Sequence, residues 1–108
     1  MNRVKADTPP AGLDEGSRGR LELYGELSFA SVPRIWDICR ERFAGRDSLD
    51  IDLGRVQRAD SAGVALLIEC LREARQTGKD IRFFNIPAQM LAIARVSSLD
   101  QVLPLERD

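Results

Sequence analysis

The sequence predicts a single α/β domain built on a small, mainly parallel or mixed β-sheet with helices packed against it. Strand-like and helix-like apolar periods alternate in the order β-α-β-α-β-α, and the strands are spaced for helical crossovers. The 108 residues, 44% of them apolar, suit one core that needs neither a disulfide nor a metal.

Residues 1–19 carry Pro9-Pro10, three glycines and scattered charges but no continuous apolar run. They are expected to form a flexible lead segment, with a weak edge strand near Ala11 to Leu13 as its ordered candidate, and the domain is expected over residues 20–108. Neither a secretory signal nor a membrane span is read there, so the protein is expected to stay where it is made.

From Leu21 the pattern sharpens. Leu21, Leu23 and Leu27 alternate with Glu22 and Glu26, the period of a half-buried strand. Val32, Ile35, Trp36, Cys39 and Phe43 then recur at helical spacing, with Arg34, Asp37, Arg40, Glu41 and Arg42 mostly opposite. Ser31 is the candidate N-cap, Pro33 sits in the first turn and Gly45 at the stop.

Leu49, Ile51 and Leu53 alternate with Asp50 and Asp52 in a short internal strand. Val56 extends the buried row into a loop kept polar by Arg55, Gln57 and Arg58. Asp60 or Ser61 opens the second helix, since either side chain accepts a hydrogen bond from its free N–H groups, and Gly78 closes it. Asp80 to Asn85 is a strand bearing Ile81, Phe83 and Phe84. Pro87 starts a third helix with Met90, Leu91, Ile93 and Ala94, and Val96 and Leu99 continue its apolar side. Val102 to Leu105 either adds a short strand or packs beneath a helix.

Composition removes several function classes. Sixteen basic and 17 acidic residues leave a net charge of −1, so no strong field draws the chain to nucleic acid or an anionic membrane. Histidine is absent, which removes the commonest general base and a frequent zinc ligand. Cys39 and Cys70 have no paired ligand spacing and read as reduced thiols in helices, fitting a cytosolic chain. Ser61 has no histidine to activate it, Asp50, Asp52 and Asp60 read as carboxylates that border loops or cap groups, and Gly78-Lys79 lacks the rest of a phosphate loop. No catalytic residue, cofactor or metal ligand is expected, and the chain is not read as an enzyme.

The second helix carries the functional signal. Val64, Leu67, Ile68, Leu71 and Ala74 supply the stripe that faces a sheet, while Ala62, Leu66 and Cys70 lie on a different face with Ala65 between. A partner protein covering that second face is the favoured reading; the alternative is cover by the first or third helix. Ser61 has two readings, a plain helix cap and a site for phosphate or a partner's acidic group favoured by the helix dipole. Gly63 weakens the first turn yet lets another backbone approach closely. Arg55 and Arg58 are either within reach of added charge or simply solvated.

These residues resemble a STAS domain, the small α/β module of anti-sigma factor antagonists, sulfate transporters and bacterial lipid-transport complexes. The matching features are Tyr24-Gly25-Glu26-Leu27, the strand Ile51-Asp52-Leu53, the loop Asp60-Ser61-Ala62-Gly63 with Leu66-Leu67 after it, and Gly78, together covering about Leu21 to Leu105. The resemblance implies that this loop is where the antagonists are phosphorylated by their partner kinase. Within the family the chain is more similar to the lipid-transport branch, on Gly25-Glu26-Leu27 leading into Val32 and Trp36, on Asp52-Leu53-Gly54-Arg55-Val56, and on the Ser61 loop running into Ala65-Leu66-Leu67.

That branch implies a non-enzymatic regulatory or assembly subunit of a phospholipid-transport ABC complex that maintains outer-membrane lipid asymmetry. The domain would be cytoplasmic, held at the inner membrane by the ATPase subunit it binds within a complex with a permease. Its contacts would be Asp60, Ser61, Ala62, Gly63, Leu66 and Cys70. The alternative implied by the family is an anti-sigma factor antagonist controlled by phosphorylation of Ser61, with an anti-sigma kinase as partner.

Overall fold

The structure is a computed structural model that describes residues 11–108, so the first ten residues of the expected lead segment lie outside the described residues. In chain order the elements are β1 (Gly12–Glu15), a 3-10 turn (Ser17–Gly19), β2 (Leu21–Leu27), α1 (Val32–Phe43), β3 (Ser48–Ala59), α2 (Ser61–Gln76), β4 (Asp80–Phe84), α3 (Ala88–Val96), a second 3-10 turn (Leu99–Gln101) and β5 (Leu105–Glu106). The expected α/β architecture is present. The five strands form one sheet in the order β1-β2-β3-β4-β5. β1 pairs antiparallel with β2, and every other pair is parallel.

Each helix connects two adjacent parallel strands, and the right-handedness of such crossovers puts all three on one face. Side-chain parity agrees: Leu13, Leu21, Leu23, Leu49, Ile51, Ile81 and Phe83 are buried and share the helix side. The edge strand expected near Ala11 is β1, with Leu13 paired to Leu23, so the sheet begins before residue 20.

β3 differs from its expectation. A short strand ending near Leu53 and a polar loop were expected, but the strand runs on to Ala59 and pairs with β2 throughout. Two register shifts cause the misreading. Between Glu22 and Tyr24 the partner moves from Asp52 to Arg55, and between Gly25 and Glu26 it moves from Val56 to Arg58, so β3 has one extra residue at each step. Its buried residues then fall at Leu53, Val56 and Ala59, a spacing of three that alternation cannot reveal. Gly25, at φ 88°, adopts the backbone that this irregularity requires.

Val96 also departs from expectation: it is fully solvated at the last turn of α3, while Met90 and Ala94 face the core. The segment from Val102 resolves into buried Leu103 and the short strand β5, in which Leu105 pairs with Phe83.

The helix-free face of the sheet is finished by its own side chains. Arg82 grips Asp50 through two bonds of 3.1 Å, and Arg55 reaches both Asp14 (3.1 Å) and Glu22 (3.0 Å). The Arg20 guanidinium lies 3.7 Å from the centre of the Phe84 ring while it bonds Asp52 and Asp108. Asp52 also accepts a hydrogen bond from the Gly54 N–H at 2.8 Å. Exposed pairs of this kind contribute modestly to stability, but here they leave the aromatic rings covered and the charges matched.

Candidate partner-binding site

The loop after β2 and the loop between β3 and α2 meet at the carboxyl-terminal edge of the parallel strands. Asp60 ties them together. Its N–H donates to the Leu27 carbonyl (3.1 Å), its Oδ1 accepts from the Ala62 N–H (2.8 Å), and its Oδ2 accepts from the Phe29 N–H (3.4 Å). Asp60 is thus the N-cap of α2, and Ser61 is its exposed first residue, left free of that duty.

Ser31 works in the same way on the neighbouring loop. Its hydroxyl donates to the Glu26 carbonyl (2.8 Å) and accepts from the Ser28 N–H (3.0 Å), so it folds the loop back on β2 and makes no side-chain cap bond to α1. Ser31 thus occupies the expected N-cap position, but its hydroxyl serves the loop rather than the free N–H groups of the helix.

Gly63 permits a close approach, but the approaching elements belong to the same chain. A Cβ on Gly63 would stand 2.9 Å from the Ala59 Cβ and 3.1 Å from the Leu27 Cβ, so the glycine lets α2 start directly on the ends of β2 and β3.

The free apolar face expected from Ala62, Leu66 and Cys70 is overturned. Leu66 is 1% exposed, Cys70 is 0% exposed and Ala62 is buried with them. α2 is the middle helix of three, so α1 and α3 cover its flanks while the sheet covers its base. At the α1 flank the neighbouring Cys39 thiol, together with burial, pushes the Cys70 pKa well above the usual thiol range. The residues that remain exposed on α2 are Ser61, Ala65, Glu69, Arg72, Arg75 and Gln76, a solvent-facing row beginning at the loop.

Of the expected contact set, then, Ser61 is at the surface, Asp60 is half-buried as the organiser of the loops, and Ala62, Gly63, Leu66 and Cys70 lie beneath. Arg58 is at the loop end, 4.0 Å from Glu26, whereas Arg55 is held by carboxylates on the open face. Phe29 was not anticipated. It projects from the β2–α1 loop beside Asp60, and the signal that could have found it is an aromatic that falls outside both neighbouring periods in LSFASVPRI. Among the described residues, no group of three His, Cys, Asp or Glu side chains could hold a metal ion, and no helix is long and apolar enough to cross a membrane.

A mixed five-stranded sheet with three helices on one face, and a serine opening the central helix, defines a STAS-like domain. Solved structures share that fold: the unphosphorylated anti-sigma factor antagonist SpoIIAA superposes with a TM-score of 0.71 at 17% identity over 92% of this chain and 88% of that one. An anti-sigma factor antagonist from Mycobacterium paratuberculosis gives 0.72 at 16% identity over 89% and 83%. The family model described as "Mlab, STAS domain" matches residues 14–105, and the chain belongs to that family. It is 34% identical over 84 residues to the intermembrane phospholipid transport system binding protein MlaB of Haemophilus influenzae, covering 73% of this chain and 79% of that one. The MlaB protein of Escherichia coli is 31% identical over 85 residues, covering 78% and 86%. Both relatives are named as binding proteins, which is the non-enzymatic class expected here.

Proposed function

We propose that this chain is a non-enzymatic regulatory or assembly subunit of a bacterial phospholipid-transport ABC complex that maintains outer-membrane lipid asymmetry. It sits at the cytoplasmic side of the inner membrane, held there by the ATPase subunit of a complex that includes a permease. Docking uses the Ser61 loop and the exposed row of α2. Ser61 touches the partner, Asp60 shapes the loop, and Ala62, Gly63, Leu66 and Cys70 support it from beneath. The observation that carries this reading is the rigid, small-residue surface at the start of α2 in a chain related to MlaB proteins. Ser61 and Ala65 let a partner's backbone come close, and rigid loops lose little freedom on binding.

Recovery of the tagged protein from detergent-solubilised membranes should bring down an ATPase and a permease, and Ser61→Glu should lose both while remaining folded. Equal recovery with the variant would overturn docking at this loop.

The exposure of Ser61 on the first turn of α2 supports a second reading, an anti-sigma factor antagonist whose Ser61 is phosphorylated by its kinase partner. Phosphoserine at position 61 in cells, with a soluble serine kinase bound to the unmodified form, would select it over the first.

A further inference from the structure

Phe29 is 73% exposed, and it stands at the edge of the Ser61 loop. The other large exposed apolar side chains among the described residues are Val96, at the end of α3, and Val102, in the turn before β5, which lines a shallow pocket with Ile68 and Leu71 of α2. Solvated apolar residues are ordinary when scattered, and Val96 needs no more explanation than that, while Val102 is half-covered beside Ile68 and Leu71.

Phe29 differs because its loop is fixed. The Phe29 N–H is held by Asp60, the Asp60 N–H by the Leu27 carbonyl, the Ser31 hydroxyl by the Glu26 carbonyl, and the Val32 N–H by the Ser28 carbonyl. Those bonds hold the ring out from a backbone that is already ordered, so seating it in a partner costs little conformational freedom. Its chain neighbour Ala30, and Ser61 and Ala65 on the helix that Asp60 caps, are small and exposed. A rigid aromatic knob on low ground, ringed by contacts that exclude water, is the shape of an interface hot spot.

We propose that Phe29 is the anchor of the docking surface, seated on binding in an apolar socket of the ATPase subunit; this rests on the reading of the Ser61 loop as the docking site. A protein socket fits better than a lipid surface. Asp60 holds the Phe29 N–H, and Glu26 and Arg58 pair at the ends of the two strands that carry these loops, two carboxylates against one cation, whereas anionic bilayers recruit clusters of lysine and arginine.

The test uses the assembled membrane complex. The photoreactive p-benzoylphenylalanine is placed at position 29 in one variant and at position 96 in another, and adducts are identified by mass spectrometry. The anchor predicts an adduct from position 29 to an apolar segment of the ATPase and none from position 96. In parallel, Phe29→Ala should weaken binding about 30-fold, the scale of a hot-spot truncation, with an unchanged melting temperature. If Phe29→Ala binds like the parent while Ser61→Glu releases the partner, the anchor is wrong and the docking site stands. If both variants bind like the parent, the docking site falls and the anchor with it. A lipid adduct from position 29 would also overturn the proposal. Should Phe29→Ala lower the melting temperature, the cross-linking result decides alone.

Discussion

Gly63 lies so close to Ala59 that a Cβ on the glycine would come within 2.9 Å of the alanine methyl. Helix propensity alone favours Gly63→Ala by about 1 kcal/mol. Overpacking against Ala59 and Leu27, neither of which can swing aside, opposes it by roughly 1–3 kcal/mol. The variant should therefore be less stable than the parent by about 1 kcal/mol in urea unfolding, and a gain in stability would mean that the helix start has slack.

Leu66→Asp separates core from surface. With Leu66 at 1% exposure, the substitution removes a buried side chain and leaves an unpaired carboxylate, a loss of about 3–5 kcal/mol. Against typical domain stabilities of about 5–15 kcal/mol, it should leave a marginal or unfolded chain. Circular dichroism and a thermal melt check this; a parental melting temperature would restore Leu66 to the surface.

Asp60 caps α2 and also holds the Phe29 loop through its second carboxylate oxygen. Asp60→Ala should cost about 1 kcal/mol of stability, the scale of a lost N-cap. Asp60→Asn keeps an oxygen for capping and should recover most of that loss. A chemical denaturation series over the three proteins gives the ranking, and equal stability of the alanine variant would remove Asp60 from the cap.

Acid should weaken the clasp between Arg20 and Asp108. The guanidinium bonds both carboxylate oxygens, at 2.6 and 2.8 Å, and Asn85 adds a bond at 3.2 Å. Arg20 first, then Asn85, holds the Asp108 carboxyl below the ordinary range. A pKa lowered by folding contributes stability above the unfolded value of about 4, and the contribution is lost as pH falls through the folded value. Asp108→Asn should thus be less stable than the parent at pH 7, with the gap narrowing below about pH 4. A gap that stays constant down to pH 2 would detach the effect from this carboxyl.

Both cysteines are buried and free, and the Cys70 pKa is raised by its Cys39 neighbour and by burial. Thiol reagents should label neither in the native state at pH 8, and both on unfolding in urea, since the thiolate is the reactive form and neither sulfur meets solvent. Rapid native labelling would show that α1 and α2 separate readily.

Much of the fold was legible where the apolar period was regular. Alternation from Leu21 to Leu27 and helical spacing from Val32 to Phe43 each correspond to an element with the expected face buried. The second half of β3 was not legible, because two extra residues change its period from two to three and make Val56 and Ala59 look like loop positions. At the site, the sequence pointed to Asp60 and Ser61 as alternatives for the cap; only the hydrogen bond from the Ala62 N–H assigns it to Asp60.

The excess apolar surface of α2 shows where local information ends. Its residues required cover, since Ala62, Leu66 and Cys70 could not be spared to water without cost. Whether the cover was a partner or a neighbouring helix depended on where α1 falls, and that is set by contacts such as Cys39 with Cys70, 31 positions apart. Local periodicity determined the elements and their order, because each side chain's face follows from backbone geometry alone. Tertiary structure decided which apolar faces were consumed inside the domain and left Ser61, Ala65 and Phe29 outside it, because burial depends on non-local neighbours that no local period encodes.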